Sequence, residues 1–301
     1  MARSGERSAA PDAATGIAMA CHAPSGHHMA PCSEQREGNP MERLLDDGDI
    51  VVLREWLSDA GRLALTWFNR VTPQRKADRS PVTEADLAIE QRLVSQLSAR
   101  FATYGILGEE STERSLDAAS VWALDPLDGT AAFIAGLPLW AISLGLLHHG
   151  EAHFGMIHVP LLGDTYWGGP AYGAWRGDVP IQVSRSTPWQ PDDWMCVPSN
   201  MHQSFTSTFP GKARALGATA TALCYVARGS AIAALIDHVS LWDVAAGFAI
   251  LTAAGGRIEH LDGQPFALQG PHSRQHLPDT LVVGGAGHLD ALRGHIGMLA
   301  P

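Results

Sequence analysis

From Ala141 to Gly177 the chain reads AISLGLLHHGEAHFGMIHVPLLGDTYWGGPAYGAWRG. Apolar and polar residues alternate here and glycines break the run, which is the pattern of an antiparallel meander. A helix repeats its faces every 3.6 residues and cannot satisfy a two-residue period. The middle of the chain is therefore committed to a sheet. Its flanks are not. Leu44 to Phe68 reads as one or two helices, interrupted near Gly48 and Gly61 and closed before Pro73. In SPVTEADLAIEQRLVSQLSARF, Thr83 is a helix cap, and Ile89, Leu93, Leu97 and Phe101 recur on one face. GILGEE and SVWALD read as strands. Beyond the meander, short strands and helices alternate through WMCVPS, a short helix, ARALGA, TALCYVARG, AALID and LWDVAAGFAILTAAGG. TLVVGG is expected to be the last strand and HLDALRGHIGML the last helix. Strands and helices mixed around one meander point to layered α and β structure rather than a barrel.

The 301 residues suffice for one large domain or two small ones, and 46% of them are hydrophobic. Net charge is -10, from 21 basic and 31 acidic residues, which argues against binding a nucleic acid polymer. Phosphorylated small molecules remain open, because bound cations invert local charge. Cys21, Cys32, Cys196 and Cys224 form no CxxC pair, which fits a reducing, cytoplasmic setting. The longest apolar run, Leu137 to Leu147, is too short to span a bilayer. Residues 1–40 are rich in Ala, Ser, Pro, Gly and His and read as a disordered tail. Within them Cys21, His22, His27, His28 and Cys32 match no familiar zinc spacing. The folded part is expected over 41–301, in halves of 41–185 and 186–301.

Acids stand where elements begin or end. In WALDPLDGT a buried strand runs into Asp125, Pro126 bends the backbone, Asp128 follows, and Gly129 permits close approach. Two carboxylates with free N–H groups behind them suit a hard cation and a phosphate. The same stretch is equally readable as an acidic turn with an Asx cap. Glu109 and Glu110 close GILGEE, Asp86 occupies the capping-box position after Thr83, and Asp243 is the one charged residue between Leu241 and Gly256. A carboxylate on so apolar a helix needs a partner, either the helix N-terminus or a cation.

SPVTEAD, GEES, WALDPLDGTAAFIAGLP and LWDVAAGFAILTAAGG, in this order, resemble the inositol monophosphatase family of metal-dependent, lithium-sensitive phosphatases. The resemblance runs from about Met41 to the C-terminus. It implies an αβαβα sandwich, hydrolysis of phosphate monoesters, two or three Mg²⁺ ions per site and a homodimer. It implies Glu109, Asp125, the Leu127 carbonyl, Asp128 and Asp243 as metal ligands, with Glu110 behind them. It implies Thr130 and Asp86 as the pair that orients and deprotonates the attacking water, and Gly129 and Thr130 as holders of the phosphate. Oxygen ligands are what Mg²⁺ prefers.

The substrate side departs from the family. Inositol-acting members carry a glutamate before the Trp-Asp helix, and the ungapped match here is Ile236, with Asp237 beside it and Ile232 at a further position often acidic in relatives. A branched apolar side chain cannot bind a sugar hydroxyl. Ala218, Thr219 and the loop Val197 to Asn200 are expected near the substrate. The organic group is read as inositol-like or another polyol or sugar, with histidinol phosphate or a 3′-phosphonucleotide as the alternative. A non-catalytic metal- or phosphate-binding regulator is the reading from another class; the retained Thr130 and Asp86 oppose it. VVGGAGHLDAL lacks the third glycine of a phosphate loop. His148, His149, His153 and His158 read as surface or core histidines, and Trp140 and Trp167 as packing residues.

Overall fold

The computed structural model describes residues 42–77, 79–110, 112–185, 188–268, 277 and 280–299. The expectations for residues 1–40, the tail and its Cys and His cluster, lie outside the described residues.

In chain order the elements are α1 (Asp47–Leu65), β1 (Gln74–Arg75), β2 (Pro81–Val82), α2 (Glu84–Arg100), β3 (Gly105–Gly108), β4 (Glu113–Arg114), β5 (Ser120–Asp128) and α3 (Thr130–Ile134). The meander follows as β6 (Ala141–His148), β7 (Glu151–Val159), β8 (Asp164–Gly169), β9 (Gly173–Arg176) and β10 (Val179–Pro180). Then come β11 (Trp194–Cys196), α4 (Met201–Ser204), β12 (Phe205–Ser207), β13 (Lys212–Arg214), α5 (Thr219–Ala227), β14 (Ala233–Ile236) and α6 (Leu241–Ala253). The chain closes with β15 (Gly256–His260), β16 (Leu281–Gly285), α7 (Ala286–Leu292) and β17 (Ile296–Met298).

Two sheets organise these elements. The first has eight strands in the order β10-β9-β8-β7-β6-β5-β3-β4, and the second has five in the order β13-β11-β14-β16-β15. Strand alternation gives each sheet two apolar faces. On β5, Trp122 and Leu124 join the core under α1 and α2, while Val121 and Ala123 join the core with α5 and α6. On β14, Ala234 and Ile236 face α5 and α6, while Ala233 and Leu235 pack with Leu289 and Leu292 of α7. The layers are thus α1 and α2, the first sheet, α5 and α6, the second sheet, then α7. This is the αβαβα sandwich the resemblance implied. It also explains why α6 is apolar on nearly every side: a helix between two sheets has no solvent face.

The helix caps follow the sequence. Thr83 caps α2, and Asp86 closes the capping box on the Thr83 N–H. Asp46 and Asp49 do the same for α1. Ile89, Leu93 and Leu97 are fully buried. Trp140 is buried against Phe133 and Phe68, and Trp167 stacks on Trp175.

Three expectations need correction. α1 is a single helix that runs through both Gly48 and Gly61. Gly61 is there for contact: a Cβ on it would lie 2.8 Å from the His158 ring of β7. TLVVGG is not the last strand, because β17 follows it and pairs with β12, so the final helix stops at Leu292. The glycines of the meander do not all break it. Gly145 and Gly155 are paired inside β6 and β7. A Cβ on either would come within 2.6 Å of α6 atoms of Ala245 or Ala246. They make the flat floor on which α6 lies.

Candidate active site

The site forms where β5 ends and α5 and α6 begin. All nine residues of β5 are buried, and its pairing with β6 slips between Asp125 and Asp128. That irregularity follows from Pro126, which has no N–H to give the ladder. Asp125 Oδ1 accepts from Leu127 N at 2.8 Å, an Asx-type turn that fixes the carboxylate. Gly129 then takes φ 89°, the left-handed region, and starts α3. A Cβ there would sit 2.9 Å from both Ala218 Cβ and Gly217 O, so the turn packs directly against the start of α5.

Asp128 uses that closeness. Its carboxylate accepts from Thr219 N at 3.0 Å and Ala220 N at 2.8 Å, the first N–H groups of α5. Asp243 lies at the third position of α6 and accepts from Ser240 N at 2.6 Å in a capping box. The two readings of Asp243 are therefore compatible: one oxygen serves the helix and the group still faces its neighbours. Among the described residues, carboxylate oxygens of Asp125, Asp128 and Asp243 all lie within 4.8 Å of one another. Two come from the first sheet and one from the middle layer.

The electrostatics of this triad are those of a site that favours bound positive charge. Burial, and then the charges of Glu109, Asp128 and Asp243, raise the pKa of Asp125 well above the carboxylate range. Burial lifts Asp128 to about 7 against the downward pull of the α5 N–H groups. Burial lifts Asp243 to about 8, opposed by the Ser240 N–H and reinforced by the Asp128 charge. Three buried acids this close cannot all ionise unless positive charge joins them.

Beside the triad stands a second pair. Asp86 is fully buried. Its Oδ2 accepts from Thr83 N at 2.8 Å and Thr83 Oγ1 at 2.6 Å. Its Oδ1 lies 3.2 Å from Thr130 Oγ1, which is equally far from the Leu127 carbonyl oxygen. Burial raises the Asp86 pKa, with the Thr83 hydrogen bonds opposing. Thr130 and Asp86, 44 positions apart, are thus brought into one hydrogen-bond network with Leu127.

Glu109 and Glu110 follow β3 directly. Lys76, from the turn between β1 and β2, holds Glu109 Oε1 at 2.7 Å and Glu110 Oε1 at 2.9 Å. Burial works against the Lys76 ammonium, but Glu109 and then Glu110 keep its pKa above the ordinary lysine value. Burial raises Glu110 to about 7, with Lys76 opposing. Glu90 of α2 accepts from Glu110 N, Thr112 N and Thr112 Oγ1 at 2.8, 3.1 and 2.8 Å. Sequence reasoning missed Lys76 and Glu90. Lys76 carries no periodic signal. Glu90 had one: it follows Asp86 by one turn on the face that continues with Leu93 and Leu97, so its burial was legible.

Next to Asp128 opens a cavity of about 210 Å³. Ala218, Thr219, Ser199, Ile236 and Asp237 line it.

The sequence matches the inositol monophosphatase family over residues 50–290. That span covers most of the chain and every group just described. The chain belongs to the inositol monophosphatase family. Among its relatives, mouse inositol monophosphatase 2 is 33% identical over 224 residues, which is 69% of this chain and 77% of that protein. The histidinol-phosphatase of Chlorobaculum parvum is 33% identical over 222 residues, 69% of this chain and 84% of that one. In fold, the extragenic suppressor protein suhB of Bartonella henselae superposes with a TM-score of 0.69 at 23% identity, covering 82% of this chain and 97% of its own. As a member of this family the chain is a phosphoric monoester hydrolase. The family's phosphatases are metal-dependent, and the triad of Asp125, Asp128 and Asp243 could hold a metal here. No helix among the described residues is long and apolar enough to cross a membrane.

Proposed function

We propose that the chain hydrolyses a small phosphate monoester with Mg²⁺, two or three ions per site. Asp125, Asp128 and Asp243 hold the ions, Glu109 and the Leu127 carbonyl complete the ligand set, and Glu110 supports them from behind. The observation that carries this is the buried triad with oxygens within 4.8 Å, whose raised pKa values come from burial and mutual repulsion that a cation would relieve. Oxygen-only donors fit magnesium better than a softer metal. When bound, Mg²⁺ would neutralise the phosphate's charge and lower the pKa of water at the site.

The chain's own residues do the rest. Asp86, fixed by Thr83, accepts the proton of the Thr130 hydroxyl, and Thr130 Oγ1 accepts one from the attacking water. Burial makes Asp86 the stronger base for this task. The first N–H groups of α3, at Gly129 and Thr130, have no partner within the helix and suit the phosphate oxygens. The cavity beside Asp128 takes the organic group, with Ala218 and Thr219 in its wall.

An inositol-like polyol or sugar phosphate is the reading the mouse relative supports. Histidinol phosphate or a 3′-phosphonucleotide is the second reading, and Ile236 in the cavity wall favours it. Lithium sensitivity, a homodimer, a cytoplasmic setting and a folded part of 41–301, in halves of 41–185 and 186–301, go with the family reading as further proposals. Asp125→Asn tests the core of it. Loss of a shared ligand removes several kcal/mol of charge stabilisation, so kcat should fall by about a hundredfold or more. Retained turnover in a folded variant would refute the assignment.

A further inference from the structure

The cavity beside Asp128 measures about 210 Å³. An apolar cavity of about 150 Å³ accommodates benzene. A single ring with a short side chain fits this one. Leu216, Ala218, Ala222 and Ile236 give it an apolar wall. Ser199, Thr219 and Asp237 add polar groups to the lining, but a neutral hydroxyl gains less from a carboxylate than a cation does. Among the described residues no lysine or arginine lines the cavity, so nothing there answers a second phosphate.

One charged group in the wall lies outside the metal triad. Asp237 follows β14, and its side chain is only 10% exposed. Thr280 Oγ1 donates to its Oδ1 at 2.7 Å, and His238 Nε2 lies 3.4 Å from its Oδ2. These contacts fix the carboxylate. Asp128, by contrast, already accepts from the two N–H groups of α5. A fixed carboxylate in the wall of a small cavity attracts a cation and repels an anion.

We propose that Asp237 determines specificity, and that the chain prefers a small amino alcohol phosphate, with one phosphate and a protonated amine, over a polyol phosphate or a bisphosphate. This rests on the phosphate-monoester hydrolase reading. The amine pairs with Asp237 while the ring or short chain lies along Ile236 and Leu216.

The test is phosphate release, with Mg²⁺, from L-histidinol phosphate, inositol 1-phosphate, fructose 1,6-bisphosphate and glycerol 2-phosphate, by the full chain and by Asp237→Asn. In the unaltered protein, kcat/KM for the amine should exceed those for inositol 1-phosphate and the bisphosphate at least about tenfold, the order of one ionic contact. Asp237→Asn should lower the ratio of amine to glycerol 2-phosphate by a similar factor, through KM rather than kcat. The first comparison needs no variant, so a folding defect cannot hide the answer. A lead for inositol 1-phosphate or the bisphosphate, or an unmoved ratio in a folded variant, would overturn the assignment while leaving the hydrolase reading intact. Release from none of the four would overturn the hydrolase reading and this inference with it.

Discussion

Asp128 does two jobs with one carboxylate. It caps α5 through Thr219 N and Ala220 N, and it meets Asp125 and Asp243 at the triad. A carboxylate has about four acceptor sites, so the two roles do not compete. The cost falls on the cation-free protein. In an unfolded chain aspartate ionises near pH ~4. Folded, Asp128 keeps its proton to about 7 and Asp243 to about 8. Between those limits the folded state binds more protons than the unfolded one, so stability falls as pH rises. Buried histidines oppose this trend only at lower pH. Burial lowers His153 and His158, so they destabilise the fold as pH drops below the unfolded histidine value of about 6.5. From pH ~6.5 to ~8.5 the acids alone decide. In EDTA, Tm should drop across that window by about 3 °C or more, on a scale of about 2–4 °C per kcal/mol. Mg²⁺ should restore it, and Asp128→Asn should flatten the slope. A Tm that holds or rises in EDTA would contradict the picture. At this scale the sequence was informative about acids and poor about their supports. Asp125, Asp128 and Asp243 were visible because carboxylates are conspicuous at the ends of apolar elements. Lys76 was not, because a lysine in a short hairpin resembles any surface lysine until the fold brings it to Glu109.

At the level of elements, α6 and its floor explain most of what the sequence misrepresented. Glycine in a strand usually marks a weakness or a bend. Here Gly145 and Gly155 face each other across β6 and β7 and let the α6 backbone approach. That demand comes from a helix about a hundred positions later, so no local pattern could announce it. Gly61 repeats the lesson on the other face of the sheet, where α1 meets His158. β15 and β17 escaped for a related reason: GRIEH and IGM are short and half exposed, and pairing rather than propensity makes them strands. The long, strongly patterned elements, α2, β5, the meander and α6, were legible. Gly155→Ala probes the floor. Its Cβ would lie 2.1 Å from Ala246 O, a backbone atom that moves only with α6. Stability should fall by about 3 kcal/mol, the upper end for overpacking, as read from urea unfolding. Activity should fall as well, because α6 carries Asp243. An unchanged midpoint would mean that α6 can shift freely and is not the rigid mount described here.

For the molecule as a whole, the arrangement places the site where two layers meet. The first sheet delivers Asp125 and Asp128, and the middle helices deliver Asp243 and the N–H groups that hold Asp128. Both α5 and α6 point their N-termini toward these acids, so helix dipoles and capping bonds help carry the negative charge. The order of patterns in the sequence, a helical half, a meander and an alternating half, pointed to layered α and β structure, and the family resemblance implied the sandwich. The family match and the 0.69 TM-score agree with it. The cavity composition did not follow, since it depends on which side of β14 Ile236 occupies and on where the chain leaves the strand at Asp237. The central claim is that buried acids from these layers form one cation site that hydrolyses phosphate monoesters. Phosphate release from a substrate panel, followed while Mg²⁺ is titrated into EDTA-stripped protein, tests it most directly. The account predicts no release without the ion and saturable release with it, lost in Asp125→Asn. Full release in EDTA, or none at any Mg²⁺ concentration, would contradict it.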